Sequence, residues 1–238
     1  MEIQTEKASD CPRVSILIPC YDRPDDLTNT LQHCLRQTGC SHEIVIIDDG
    51  TPNDAVAAVA AAFPQCRYVR LDANVGLIKA RNIGMTRCKG EYVVNLDDDS
   101  WLVDPRALDR IVAFMDRSPD VAVLALNVDQ PASGLLWNPS AQPVPVGNYT
   151  GCGNVQRKAL IAEVGGFIAE FIRQGEELEQ SMRIIAANYK VVAMPSIQVI
   201  HNESTVNRDV RKICSMEAVN ILRREAILAP APLIPFGF

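Results

Sequence analysis

Short apolar runs recur along the first half of the chain, and each is followed by a stretch with helical periodicity. A continuous apolar run that ends at Pro, Asp or Gly is typical of a strand buried on both faces. Such runs predict strands at 14–18, 43–47, 67–71, 92–96 and 121–126. Between them, apolar residues fall on one helical face, which predicts helices starting at Pro24 and at 53–63, 77–88 and 105–117.

Alternating strands and helices of this length connect by right-handed crossovers, which favour parallel strands. The sequence therefore predicts an α/β fold with a mostly parallel central sheet flanked by helices. Beyond about residue 130 prolines and glycines become frequent, and a smaller region follows. We predict there a short helix at 157–164, a helix that opens at Gly175, a strand pair that ends at His201 and a basic helix over about 207–227.

The composition is that of a globular protein. The 238 residues are 47% apolar and 22% charged. A net charge of −6 argues against nucleic acid as a partner, because a nucleic-acid footprint needs clustered Lys and Arg. The eight cysteines contain no C-x-x-C pair, which is typical of reduced cytosolic thiols. The polar start does not resemble a signal peptide, and no apolar run is long enough to span a membrane.

Three polar turns follow predicted strands, at 19–22, 48–50 and 97–99. Ligands of parallel α/β sheets bind at the carboxyl ends of strands, so these turns are candidates for a site. Two carboxylates one residue apart, as in Asp97 and Asp99, can hold a hard divalent cation. A carboxylate at the start of a helix, such as Glu177, can act as a general base, and His201 can complete a metal site.

Each feature also has a purely structural interpretation. Asp99 or Ser100 can cap a turn, and Gly50 can supply the positive φ of a turn after a strand. Glu176 and Glu177 are favoured in a first helical turn by the helix dipole. Other catalytic motifs are missing: the chain has no phosphate-binding P-loop, no G-x-G-x-x-G, no G-x-S-x-G and no H-E-x-x-H.

Taken together, the motifs resemble those of the family 2 glycosyltransferases, which have the GT-A fold and invert the anomeric centre. The resemblance covers residues 13–205, and its strength lies in the order of the blocks. The matching blocks are V-S-I-L-I-P-C-Y-D-R-P at 14–24, I-V-I-I-D-D-G-T at 44–51, N-V-G at 74–76, A-R-N-I-G at 80–84, G-E-Y-V-V-N-L-D-D-D at 90–99, G-C-G-N at 151–154, V-G-G-F at 164–167, G-E-E at 175–177 and V-I-H at 199–201.

This resemblance implies a transferase that uses a nucleoside-diphosphate sugar and a divalent cation, Mn²⁺ or Mg²⁺. It implies that Glu177 is the catalytic base with Glu176 as its neighbour, and that Asp99 and His201 are the metal ligands. Asp49 matches the family aspartate at the nucleobase. The implied nucleotide-binding residues are Pro19, Tyr21, Asp49, Arg81, Asp97 and Asp98.

The chain departs from the family pattern at several of these positions. Cys20 and Asp22 stand where the family usually has Thr and Asn, which leaves the nucleobase open. Glu177 replaces the usual Asp and is longer by one methylene. The third carboxylate, Asp98, leaves open which oxygen holds the metal.

The resemblance also implies a division of the chain and a set of partners. We expect a tail (1–12), a nucleotide-sugar-binding half (13–130), an acceptor and catalytic-base half of the same domain (131–205) and a C-terminal helix with an apolar tail (206–238). The expected acceptor is a carbohydrate, a lipid-linked molecule or a small molecule. We expect a cytoplasmic protein whose C-terminal region can contact the inner face of the membrane or form a homodimer.

Two other functions remain open from the sequence. One is a non-catalytic protein that binds sugar nucleotides or glycans on the same scaffold, which the exchange at Glu177 favours. The other is a sugar nucleotidyltransferase. That enzyme needs a Gly-rich basic loop after the first strand, where this chain offers only Arg23.

Overall fold

The computed structural model describes residues 11–129, 141–171, 175–204, 215–216 and 218–223. Its strands are β1 Val14–Cys20, β2 His42–Asp48, β3 Arg67–Arg70, β4 Tyr92–Asn95, β5 Ser100–Leu102, β6 Val121–Asp129, β7 Val144–Pro145, β8 Asn154–Arg157 and β9 Lys190–His201. Its helices are α1 Pro24–Cys34, α2 Ala55–Ala62, α3 Leu77–Arg87, α4 Ala107–Arg117, α5 Lys158–Val164 and α6 Glu176–Ala186.

The described strands form one sheet in the order β3-β2-β1-β4-β8-β6-β9-β5, with β7 paired to β9. Strands β3, β2, β1 and β4 are parallel, as are β6 and β9. Strand β8 is antiparallel to both of its neighbours, and β5 and β7 are antiparallel to β9. The prediction of an α/β fold with a mostly parallel central sheet and flanking helices is confirmed.

Alternate side chains of β1 point to opposite faces of the sheet, and helices pack against both faces. Ile16 and Ile18 pack into the cluster that contains Leu27 of α1 and Ile111 of α4. Leu17 lies in the other layer with Ala80 of α3. All of these side chains are fully buried. A strand with two covered faces needs apolar residues throughout, which explains why the sequence shows continuous runs without alternation.

A glycine allows helix α3 to pack directly against the sheet. A Cβ at Gly84 would come within 2.3 Å of Cδ1 of Leu17, so only glycine permits this approach. The close packing brings the N-terminal half of α3, with Arg81, over the carboxyl edge of β1 and β4. The fold thus delivers a buried cation to the edge where the sequence places its carboxylates.

Some predicted elements differ from the structure. The predicted strand pair that ends at His201 is a single strand, β9, whose register with β6 shifts between Leu126 and Asn127. Strand β5, directly after Asp99, was not predicted from the sequence. Most of the predicted basic helix at 207–227 lies outside the described residues, although 215–216 and 218–223 are helical. The division of the chain at 130/131 and 205/206 stays a prediction. No helix in the part of the chain described above has the length and apolar character of a membrane span.

Candidate active site

The turn Asp97–Asp99 joins β4 to β5 at the carboxyl edge of the sheet. The backbone N–H of Asp97 points to Oγ of Ser100 at 2.8 Å, which closes the turn. Asp98 and Asp99 are buried, whereas the side chain of Asp97 is 23% exposed. The capping interpretation is therefore correct for Ser100, but it does not account for the carboxylates, which point to charged partners.

The two oxygens of Asp99 have different surroundings. Oδ2 accepts hydrogen bonds from the backbone N–H of Ser204 at 2.9 Å and from Nη1 of Arg23 at 3.2 Å. Oδ1 lies 3.1 Å from Nε2 of His201, and no other polar group of the described residues satisfies it. Burial opposes ionisation, but His201, the Ser204 amide and Arg23 outweigh it and lower the pKa of Asp99.

Strand pairing explains why His201 reaches this turn. Strand β5 is antiparallel to β9 and places Ser100 opposite His201. Nε2 of His201 also lies 3.7 Å from Oδ2 of Asp97. Burial alone would lower the pKa of His201, but Asp99 and Asp97 raise it above the ordinary value. Nε2 of His201 thus lies within 4 Å of both carboxylates, and the structure brings together the two predicted residues His201 and Asp99.

Arg23 is a residue of this site that no pattern in the sequence indicates. Its Nη1 lies 3.2 Å from Oδ1 of Asp98 and 3.2 Å from Oδ2 of Asp99, so one cation bridges both carboxylates. Asp98 is more deeply buried than Asp97, and desolvation raises its pKa to about 7 despite Arg23. The only signal in the sequence was a lone basic residue after the first strand.

Arg81 is the second cation of the site and is almost completely buried. Its Nη2 forms an ion pair with Oδ1 of Asp97. The charges of Asp97, Glu176 and Glu177 raise the pKa of Arg81, although burial alone would lower it. Arg81 therefore faces the carboxylates of the β4–β5 turn and those at the start of α6. The structure shows it bound to a carboxylate.

Glu176 and Glu177 begin α6, after Gly175 in the left-handed conformation. Oε1 of Glu177 accepts a hydrogen bond from the backbone N–H of Gly151 at 2.9 Å. Glu176 is buried, and its Oε2 has no hydrogen-bond partner among the described residues. Burial, with the charge of Glu177 as a second cause, raises the pKa of Glu176 to about 8. Helix-dipole stabilisation does not explain a buried, unsatisfied carboxylate.

Asp48 and Asp49, at the turn after β2, have different hydrogen-bond partners. Asp48 is buried in the structure: it accepts from the Thr51 amide at 2.9 Å and from the Tyr68 hydroxyl at 2.6 Å. Asp49 accepts at both oxygens from the backbone amides of Val75 and Gly76, at 2.7 and 2.9 Å. Burial raises the pKa of Asp49. Asp49 therefore shapes the 73–76 loop that precedes α3.

The turn after β1 lies beside this loop. Pro19 is buried within β1. Tyr21, the first residue after this strand, is 36% exposed. Asp22 has a positive φ of 54° and its backbone N–H donates to Oγ1 of Thr51 at 3.0 Å. Tyr21 is thus presented at the same edge as the Asp49 turn. Tyr149, by contrast, is buried and donates its hydroxyl to Gln180.

The donors around His201 fit a hard divalent cation. Two carboxylate oxygens and an imidazole nitrogen are ligands that Mn²⁺ or Mg²⁺ accepts. Oδ1 of Asp99, which has no polar neighbour among the described residues apart from Nε2 of His201, supports this fit. Sγ of Cys152 also lies within 4.8 Å of ligand atoms of Asp97 and His201. However, burial raises the pKa of this thiol, and Sγ is hydrogen-bonded to Ser100 at 3.1 Å. A neutral thiol is a poor ligand for a hard cation, which favours the carboxylates over Cys152 as ligands.

A cavity of about 550 Å³ in the described region lies away from these residues. It is at the amino ends of the parallel strands, opposite the carboxylates. The buried carboxylates and their cationic partners, by contrast, lie at the carboxyl edge. The lining residues are Cys11, Pro12, Ser41, His42, Glu43, Arg67 and Lys89.

Known structures define the class of the fold. The chain resembles a mannosyltransferase from Pyrobaculum calidifontis in complex with GDP-Man and Mn²⁺, with a TM-score of 0.69 and 19% identity, covering 95% of this chain and 68% of that one. It also resembles GalNAc-T7 in complex with UDP, GalNAc and Mn²⁺, with a TM-score of 0.71 and 17% identity, covering 95% and 54%. The fold is GT-A, as the motifs implied.

The sequence comparison then gives the family. The model of glycosyl transferase family 2 matches residues 15–171, and the chain belongs to that family. The succinoglycan biosynthesis protein ExoO of Rhizobium meliloti is 32% identical over 120 residues, 49% of this chain and 34% of that protein. The O-antigen biosynthesis protein RfbC of Myxococcus xanthus is 25% identical over 227 residues, 83% of this chain and 18% of that protein. The matched stretch is thus less than half of either relative.

Proposed function

We propose that this protein transfers a sugar from a nucleoside-diphosphate sugar to an acceptor hydroxyl, with inversion at the anomeric carbon. One observation carries the proposal: Arg81 lies between Asp97 on the donor side and Glu177, so the two carboxylate groups belong to a single site. Membership of glycosyl transferase family 2 supports the reaction class. Structures of similar fold hold UDP, UDP-GlcNAc or GDP-Man, which supports a nucleoside-diphosphate sugar as the donor.

The donor binds along the edge formed by the turns after β1, β2 and β4. In this proposal Asp49 and the loop it supports receive the nucleobase, beside Pro19 and Tyr21. Asp97 receives the ribose, with Asp98 behind it. Arg81 acts through Asp97, because its guanidinium is already paired with that carboxylate. The residues after 131 supply the acceptor side and the base.

Asp99 and His201 would hold a divalent cation, through Oδ1 and Nε2. Such an ion neutralises the charge of the departing diphosphate when it is bound. Arg23 keeps Oδ2 of Asp99 engaged, which leaves Oδ1 turned toward the imidazole. His201 must release any proton from Nε2 before it can act as a ligand. Metal affinity should therefore increase with pH.

Glu177 accepts the proton of the acceptor hydroxyl. The acceptor oxygen then forms a bond to the anomeric carbon on the face opposite the diphosphate, and the bond from that carbon to the diphosphate breaks. A single displacement inverts the configuration. Burial and the charge of Glu177 raise the pKa of Glu176, which favours its neutral form, so we assign the role of base to Glu177.

A two-stage experiment tests this function. Thermal-shift measurements with UDP, GDP, dTDP and their hexose derivatives, with and without Mn²⁺, identify the donor class. Release of nucleoside diphosphate from that donor is then measured for the wild type and for Glu177→Gln, with the exposed Glu163→Gln as a matched control. We expect Glu177→Gln to bind the donor normally and to lose on the order of a hundredfold or more in turnover.

The outcomes separate the remaining alternatives. Donor binding without any release of nucleoside diphosphate would indicate a non-catalytic binding protein. Formation of pyrophosphate from a sugar phosphate and a nucleoside triphosphate would indicate a nucleotidyltransferase. Turnover of Glu177→Gln close to that of the wild type would remove Glu177 as the base.

A further inference from the structure

Gly151 is buried at the point where the two halves of the site meet. Its backbone N–H donates to Oε1 of Glu177 at 2.9 Å. Gly151 lies in the loop between β7 and β8 and belongs to no described helix or strand. It precedes Glu177 by 26 residues. The contact is therefore a tertiary one, and it holds one oxygen of the proposed base.

The absence of a side chain at Gly151 has a spatial cause. A Cβ built there would lie 2.6 Å from Nη1 of Arg81 and 2.7 Å from Oε1 of Glu177. The neighbouring Gly153 has a φ of +68°, but Gly151 is not among the residues with positive φ. The backbone conformation at Gly151 thus does not demand glycine. Glycine is favoured at this position because the side chains of Arg81 and Glu177, from two other elements, approach the place of a Cβ atom.

We propose that Gly151 is a positioning residue for Glu177. Its amide holds Oε1, and its missing side chain leaves room for Arg81. In this proposal the other oxygen, Oε2, receives the proton from the acceptor hydroxyl. This inference rests on the proposed function, because it assigns a partner to the proposed base. Gly151 itself does not touch the reacting atoms.

The hydrogen bond from Gly151 restricts the carboxylate of Glu177, whose side chain is long and flexible. A glutamate has one more rotatable bond than the aspartate usual at this position, so its carboxylate can occupy more positions. An amide fixed in a buried loop restricts those positions without adding charge. Misplacing a catalytic group by about 1 Å can cost on the order of a hundredfold in rate. A device that orients the longer acid is therefore worth a large factor in turnover.

A first experiment needs no substrate. In a ¹⁵N-labelled protein the amide proton of Gly151 is followed while the pH falls from about 7 to about 4, the range in which carboxyl groups titrate. We expect the Gly151 signal to move in the wild type and to lose this movement in Glu177→Gln. The exposed Gly147, which has no neighbour near its Cβ position, should stay unshifted in both. A stationary Gly151 signal in the wild type, or the same movement in Glu177→Gln, would overturn the inference.

A second experiment measures the effect on turnover. Gly151→Ala should fold, because the atoms in its way are the ends of flexible side chains. With the donor found by thermal shift, we expect its kcat to fall by on the order of ten- to a hundredfold while donor affinity is retained. Gly147→Ala should match the wild type. In the double variant Gly151→Ala/Glu177→Gln, kcat should be no lower than in Glu177→Gln alone, because the glycine acts through the glutamate.

These results distinguish the two proposals. If Glu177→Gln is inactive and Gly151→Ala is fully active, the positioning role is wrong and the proposed function stands. If Glu177→Gln keeps its turnover, the base assignment itself is wrong. If the two variants multiply their effects in the double variant, Gly151 acts independently of Glu177, and the inference fails.

Discussion

Oδ1 of Asp99 lies 3.1 Å from Nε2 of His201, although the two residues are about 100 positions apart in the chain. The pairing of β5 with β9 creates this contact, and the backbone N–H of Asn202 donates to the carbonyl of Asp99 at 2.9 Å beside it. The other oxygen of Asp99 is engaged by Ser204 and Arg23. The carboxylate is therefore held with Oδ2 engaged and Oδ1 turned toward the imidazole, which is the arrangement that the proposed cation site requires.

Removing the charge of Asp99 should remove the metal dependence. We expect Asp99→Asn to lose the additional thermal stabilisation that Mn²⁺ gives to the complex with a nucleoside diphosphate, because a neutral amide is a weaker ligand for a hard cation. The measurement is the melting temperature with UDP or GDP, with and without Mn²⁺. Asp120→Asn, which changes an exposed carboxylate paired with Lys190, is the control. An unchanged Mn²⁺ effect in Asp99→Asn would exclude this residue as a ligand.

Arg23 should contribute substantially to stability. Arg23→Gln removes the cation that lies 3.2 Å from Asp98 and from Asp99 and leaves the buried carboxylate of Asp99 without this partner. Breaking a buried ion pair costs about 3 kcal/mol or more. For a chain of this size that corresponds to a fall in melting temperature on the order of 10 °C. Arg106→Gln, at an exposed pair with Asp109, should change it by no more than about 1–2 °C. Equal effects of the two variants in thermal denaturation would contradict the bridging role.

Glu176 should make stability depend on pH. Its folded-state pKa is raised from 4.5 to about 8, so its contribution is complete below about pH 4.5 and is lost as the pH rises through about 8. The glutamine variant cannot ionise. We therefore expect the melting temperature of Glu176→Gln to fall less than that of the wild type between about pH 5 and pH 9. Parallel curves for the two proteins in a thermal-denaturation series would show that Glu176 is not the titrating group.

Gly50 should be required for the nucleotide end of the site. It has a φ of +74°, and a Cβ would lie 2.3 Å from the carbonyl carbon of Ala73, which is backbone and cannot move aside cheaply. Gly50→Ala adds backbone strain of about 1–3 kcal/mol and displaces the loop whose amides hold Asp49. We expect a lower melting temperature and weaker binding of UDP or GDP. The measurements are thermal denaturation and calorimetric titration, with Gly147→Ala as the control. Unchanged nucleotide affinity in Gly50→Ala would separate this loop from donor binding.

Local patterns were sufficient to predict most of the first half of the fold. The strand at 14–18 and the helix that starts at Pro24 are where the sequence places them, because burial on two faces and a single apolar helical face leave distinct patterns. The family resemblance needed only motifs in their order. Strand β5 escaped prediction because three residues, Ser100–Leu102, are too short for any period to be visible. The length of β9 was missed because its irregular pairing with β6 interrupts the pattern.

The sequence by itself determined which chemical groups the protein has: acidic turns after strands, a pair of glutamates at a helix start and a late histidine. Only the tertiary structure decided which of these groups lie next to one another. Arg23 bridges Asp98 and Asp99, and Gly151 holds Glu177, through contacts between residues that lie far apart along the chain. The local spacing of apolar and polar residues does not reveal such contacts, because a side chain's electrostatic surroundings are set by the elements that fold against it.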